Sequence, residues 1–330
     1  MEMSTPQGGS EAIVHPRSLR EPLQLDLMRA EHLSAVERAA AGNTLAQLGD
    51  PRFRPEAWYL PSEPLLGFVE IPPGPFRMGS DPAHDPLAYA DESPQHEITL
   101  PRYYIARYPG TVAQFRAFVD DTGHTPENEG SLRGLPNHPV VWVSWLDALT
   151  YCEWLTERLR AWEGTPEPLA TLLRQEGWGV TLPSEPEWEK AARGIDGRVY
   201  PWGNDPHLNR ANYGGTGIVT TSAVGCFPGG ASPYGVEEMS GNVWEWTRSV
   251  WGPYPYPTDA AGQAAREYLE TREGVRRVRR GGAFFSSPRS VRSAVRLGSG
   301  PYPHGGGMGV RGVLRDMSRD ISVDTTSHPP

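Results

Sequence analysis

Residues 280–311 constrain this chain more than any other stretch. They read Arg-Gly-Gly-Ala-Phe-Phe-Ser-Ser-Pro-Arg-Ser-Val-Arg-Ser-Ala-Val-Arg, then Leu-Gly-Ser-Gly-Pro-Tyr-Pro-His-Gly-Gly-Gly-Met-Gly-Val-Arg. Arg280, Gly281, Gly282, Arg292, Ser293, Ala294, Arg296, Gly309 and Arg311 form a frame of turn-makers and guanidinium groups. Between them lie Phe285, Ser286, Ser287, Ser290, Leu297, Ser299, Gly300, Tyr302, Pro303, His304, Gly305, Gly306 and Gly307, which share no common chemistry. A surface that tolerates such mixed side chains cannot be core. Its backbone must be fixed by glycine turns and by buried arginines, each able to make several hydrogen bonds. The frame therefore predicts a binding surface, with Phe285, Leu297, Tyr302 and His304 as anchors among adaptable Ser and Gly. The alternative is a plain glycine-rich loop closing the domain.

Composition sets the surroundings. The 330 residues suit one large domain with an extension. Pro (34) and Gly (37) exceed a fifth of the chain, yet 11 Trp and 13 Tyr supply a core, so the chain reads as coil-rich and folded. A net charge of −9 argues against a nucleic-acid partner, which needs a basic surface. No apolar run of about 18 residues is present, so no membrane span is expected, and a cytoplasmic location follows by default. Cys152 and Cys226 could pair once, but they do not make a disulfide framework.

Leu23, Leu27, Ala30, Leu33, Val36 and Ala40 recur at helical steps within residues 20–48. That helix either packs on the domain as an extension or docks a partner protein. Strands are expected at 68–71, 76–80, 97–100 and 103–106, and helices opening at Thr111, Ser144 and Ser184. Cys152 falls on the inner face of the second of these helices, as a buried thiol. The acidic stretch 81–94, with His84, Asp85, Asp91 and Glu92, and with His96 just beyond it, reads as a solvated loop, with a metal site as the alternative, although the spacing matches no helix or knuckle pattern. After Arg193 the chain is expected to be almost wholly irregular.

Seven segments in order then carry a resemblance: 71–80, 107–111, 138–145, 182–189, 200–203, 241–246 and 280–282. They are similar to the formylglycine-generating enzyme (sulfatase-modifying factor) superfamily over about residues 66–316. The resemblance implies an α+β, elaborated C-type lectin-like domain with small antiparallel sheets, flanking helices and much coil. Residues 1–65 would be a polar tail and helical extension, and 317–330 a C-terminal tail. The family's enzymes use a cysteine pair after Arg-Gly-Gly to handle copper and oxygen. Residues 283–296 contain no Cys, so copper is not expected and a non-enzymatic protein is. The ergothioneine-type relatives need an extra iron-binding helical domain, for which the N-terminal region looks too short.

Residues 280–311 also resemble the variable proteins of diversity-generating retroelements, in which Asn codons are mutated at their adenines. Such codons never become Lys, Glu, Gln, Met or Trp, and none of the filling residues is one of these. The implied function is display of diversified residues to a protein or other macromolecular ligand. The alternatives are a fixed interaction domain or a formylglycine-generating-type oxidase. The resemblance further implies structural calcium held by Glu238, Glu245 and the carbonyls of Gly241 and Val243; a hydrogen-bonded turn is the other reading of those residues.

Overall fold

The computed structural model describes residues 16–302 and 305–318. The helix expected over 20–48 is two helices, α1 (Pro16–Arg29) and α2 (Ala35–Leu48). Ser34 starts the second afresh, because it and Glu37 form a reciprocal capping box. The pair lies on the domain: Met28, Ala41 and Leu45 pack against Ala223, Cys226 and Phe227. Arg38 fixes the contact by donating to the Asn209 carbonyl at 2.7 Å. The extension reading is the observed one, although Leu23 and Val36 of the expected stripe face solvent.

A short hairpin, β1 (Phe53–Arg54) and β2 (Leu60–Pro61), leads into β3 (Phe68–Ile71). Ala57 and Leu60 already belong to the main core, ahead of the boundary expected at 66. Next come the paired strands β4 (Gly74–Met78) and β5 (His96–Leu100), then β6 (Tyr103–Ala106). Helices α3 (Val112–Thr122), α4 (Trp145–Ala161) and α5 (Leu169–Gln175) precede β7 (Trp178–Thr181) and α6 (Glu185–Arg193). Thr111, Ser144 and Ser184 each close a capping box at the start of α3, α4 and α6, which is why the sequence located these helices well. Cys152 is buried, as its place on the inner face of α4 requires.

The expectation of coil after Arg193 holds for 194–243 apart from a single 3-10 turn and is overturned beyond. There lie β8 (Trp244–Val250), α7 (Ala260–Glu267), β9 (Arg277–Arg280), β10 (Arg296–Ser299), β11 (Met308–Gly309) and β12 (Val313–Asp316). Two four-stranded sheets result, ordered β3-β6-β12-β7 and β10-β9-β8-β11. All their pairs are antiparallel except β11 with β8. The C-terminal stretch thus serves both sheets. Arginine-rich β9 and serine-containing β10 lack the apolar alternation that marks a half-buried strand, so periodicity could not reveal them. Trp145, Trp244, Trp246, Val295, Met308 and Leu314 share the main core. Trp188 centres a second cluster with Phe76, Ile98 and Tyr103.

Candidate substrate-binding surface

The frame is built from ion pairs. Arg280, Arg292, Arg296 and Arg311 are essentially inaccessible to water, and each meets a carboxylate from earlier in the chain. Arg296 grips Glu185 with two parallel bonds, Nε to Oε1 at 2.6 Å and Nη2 to Oε2 at 2.8 Å. Its guanidinium is also flanked by the rings of Trp251 and Tyr254, at 4.3 and 4.0 Å. Arg280 Nη2 meets Glu189 at 2.5 Å and also donates to the Ser293 carbonyl, while Nη1 donates to Ala294. Arg292 holds Glu92 bidentately, at 2.8 and 2.6 Å, and also contacts Asp85. Arg311 holds Glu245 at 2.8 and 2.7 Å and donates to the carbonyls of Ala106, Arg107 and Glu237.

These contacts correct the reading of 81–94 as solvated. Asp85 and Glu92 are buried because they are the counter-charges of Arg292, 207 and 200 residues away. No local pattern announces a partner at that distance. Burial opposes ionisation of Glu185, but Arg296 and Arg280 outweigh it and hold the carboxylate below its ordinary range. Removing one member of such a buried pair costs about 3–5 kcal/mol, because the other charge is left uncompensated. Glycine completes the frame where guanidinium cannot. Gly281 and Gly282 have φ of 94° and 75°, and a Cβ on Gly282 would stand 2.6 Å from the Val291 side chain.

The filling residues divide. Phe285, Tyr302 and Leu297 are 59%, 49% and 39% exposed, and Ser287 is exposed as well. Ser290, Ser299, Gly300, Gly305 and Gly306 are partly exposed. Ser286 and Gly307 do not belong on the surface. Ser286 is 8% exposed; its Oγ accepts from the Ala283 N–H and its carbonyl from the Gly214 N–H. Gly307 is buried, with its carbonyl accepting from the Trp244 N–H at 2.7 Å. Pro303 and His304 lie outside the described residues. The surface is extended by residues the frame-and-filling pattern did not include: Trp142, whose ring flanks Gly306, and Arg279.

The expected calcium ligands come together, but the cation among them is Arg311. Its guanidinium occupies both oxygens of Glu245, whose Oε2 also accepts from Trp188 Nε1 at 2.7 Å. It also reaches the Glu238 carbonyl. The Gly241 carbonyl accepts from the Val243 N–H. Glu238 turns its carboxyl away to the Gly225 N–H, leaving Oε2 buried without a partner. Burial and the neighbouring charge of Glu237 raise its pKa to about 8. These four residues do not fit calcium; the structure realises the hydrogen-bonded alternative. Copper on a cysteine pair does not fit either. Cys152 and Cys226 are both buried in different clusters, and burial pushes both thiols well up. Among the described residues no group of three or more His, Cys, Asp or Glu is arranged to hold a metal. No helix among them is long and apolar enough to cross a membrane.

The sulfatase-modifying factor enzyme 1-like domain family matches residues 59–316, and the chain belongs to that family. Its sequence is 34% identical over 250 residues to a hercynine oxygenase of Mycolicibacterium smegmatis, covering 69% of this chain and 56% of that protein. It is 32% identical over 287 residues to a formylglycine-generating enzyme of Thermomonospora curvata, covering 68% of this chain and 84% of the other. The chain therefore spans little more than half the length of the hercynine oxygenase. A solved structure, Treponema denticola variable protein 1, superposes with a TM-score of 0.56 at 22% identity, over 75% of this chain and 94% of that one; this likeness concerns the fold alone. The expectation of a non-enzymatic protein is overturned by these relatives, which are named as enzymes. The absence of Cys from 283–296 excludes chemistry on that cysteine pair and does not by itself exclude other catalysis.

Proposed function

We propose that the chain is part of an oxidative enzyme of the oxygenase kind, and that the face carried by residues 283–308 binds its substrate. The observation that carries this reading is the pairing of 34% identity to a hercynine oxygenase with a cysteine-free segment 283–296. That combination favours oxygenase chemistry on a small molecule over cysteine-based oxidation of a peptide. What the residues themselves do is position. Four buried arginine–carboxylate pairs fix the backbone on which Phe285, Leu297 and Tyr302 are presented, so a ligand meets a surface whose ordering cost was met at folding. Phe285, Tyr302 and Trp142 offer π-faces to a cationic or flat ligand.

Oxygen consumption tests the reading. The full chain is supplied with Fe(II) or Cu(I), and with hercynine or a cysteine-containing peptide. Uptake that depends on hercynine is the expected result. Uptake with the peptide alone would shift the assignment to the formylglycine-generating branch. No uptake above the metal-only control in any combination would overturn an oxidative role.

A second reading concerns the same face. The separation of a buried frame from exposed filling is what a segment rewritten by a retroelement requires, and its ligand would then be a protein or another macromolecule. A near-copy of codons 280–311 with Asn codons at the filling positions, beside a reverse-transcriptase gene, would support it; their absence from the flanking DNA would remove it.

A further inference from the structure

Arg279 stands apart from every arginine described above. It is the neighbour of Arg280 on β9, but it faces the opposite side of the sheet, in register with Leu297 of β10 and Trp246 of β8. Its guanidinium lies 5.0 Å from the centre of the Trp244 ring, and Nη1 contacts Met308 Sδ at 3.4 Å. It has no oxygen acceptor among the described residues, and its Nε is buried without any partner. Arg277, two residues earlier on the same face, shows the ordinary solution: it donates to the carbonyls of Arg248, Tyr268 and Glu270. Arg276, just before the strand, is exposed, bonds the Gly298 carbonyl, lies over the Trp251 ring and has no carboxylate partner among the described residues. In a chain of net charge −9, a guanidinium with no carboxylate partner among the described residues, beside the substrate face, is a local attraction for an anion.

A buried guanidinium N–H costs free energy unless something accepts its proton. The planar donor fork of arginine matches a carboxylate with two parallel bonds. We propose that Arg279 is the carboxylate-binding residue of this face, receiving a small molecule that places its carboxylate on the guanidinium and its body against Leu297 and the aromatic rim. This inference rests on the reading of residues 283–308 as a substrate face, and it adds what that face recognises.

The test is calorimetric titration of the full chain with hercynine, indole-3-acetate and benzoate, each beside its neutral amide, and with inorganic phosphate. At least one carboxylate should bind saturably, with its amide about ten-fold weaker or worse. Arg279→Met should lose that binding to the same extent, and Arg279→Lys should restore part of it, since it keeps the charge without the fork. Because Arg279 forms no ion pair, the thermal midpoint of Arg279→Met should not fall, so a misfolded variant is recognised at once. Saturable binding by none of the carboxylates, binding indifferent to amidation or to Arg279→Met, or binding of phosphate alone would overturn the assignment. The two proposals fail separately. Carboxylate binding without oxygen uptake leaves the site and removes the oxidative role. Oxygen uptake with an unchanged KM in Arg279→Met does the reverse.

Discussion

Arg279 and Arg280 are adjacent in sequence and opposite in circumstance. Arg280 is sealed from water between Glu189, two carbonyls and the Trp188 ring. Arg279 is partly exposed over Trp244, with a sulfur as its one hydrogen-bond acceptor among the described residues. A strand turns successive side chains to opposite faces, so one dipeptide supplies both a structural anchor and an unspent donor. The difference teaches that an arginine's role is set by what meets it and not by its burial alone. At Arg280 charge is cancelled to hold the fold; at Arg279 no carboxylate among the described residues cancels it.

The comparison can be broken first at the inner face. Arg296→Met removes the two shortest bonds to Glu185, leaving Arg280 and Arg266 at 3.5 and 3.4 Å, and should cost up to about 3–5 kcal/mol of unfolding free energy in urea titrations. A loss below 1 kcal/mol (a rough threshold for exposed pairs) would mean that the frame is not what holds the segment. Gly282→Ala comes next. It puts a Cβ where φ is 75° and 2.6 Å from Val291, and should cost about 1–3 kcal/mol.

A third probe uses pH. The folded pKa of Glu238 is raised from 4.5 to about 8, so its contribution is fully present below 4.5 and is lost as pH rises through 8. Glu238→Gln, neutral throughout, should flatten that loss. The urea midpoint of the variant, relative to wild type, should climb between pH 5 and 8 and level off above. A constant offset would show that Glu238 is ionised in the fold at all these pH values. The smallest effect belongs to the outer face: Phe285→Ala should change stability by no more than about 0.5 kcal/mol while weakening ligand binding. A large drop in stability would place Phe285 in the core and erase the contrast.

The sequence exposed the local rules and concealed the distant ones. Thr111, Ser144 and Ser184 announced their helices because a capping box is complete within four residues. The frame arginines announced themselves through spacing with glycine, and their burial followed. Their partners did not. Asp85 and Glu92 sit in a stretch that looks hydrophilic, and only the closed fold sets them against Arg292. Glu245 enters as a calcium ligand through the family resemblance, and only the closed fold sets it against Arg311. Ser286 and Gly307 were grouped with the surface because small residues look alike whether they face water or complete a hydrogen bond inside. Arg279 was passed over because it precedes the frame, and its lack of an acceptor is visible only once every neighbour is in place.

The order of the ion pairs along the chain has a consequence for synthesis. Asp85, Glu92, Glu185, Glu189 and Glu245 all precede the arginines that neutralise them. Of these five acids Glu189 alone gains a counter-charge close behind it, Arg193; the others are made 66 residues or more before the arginines that meet them, and burying them early would be costly. The guanidinium groups of 280–311 come last in the chain, followed by β12, which lies between β6 and β7. The final part of the chain to be made is thus the part that licenses the rest to close. A polypeptide stopped short of Arg311 would lack the guanidinium that meets Glu245 and the strand that pairs with both β6 and β7.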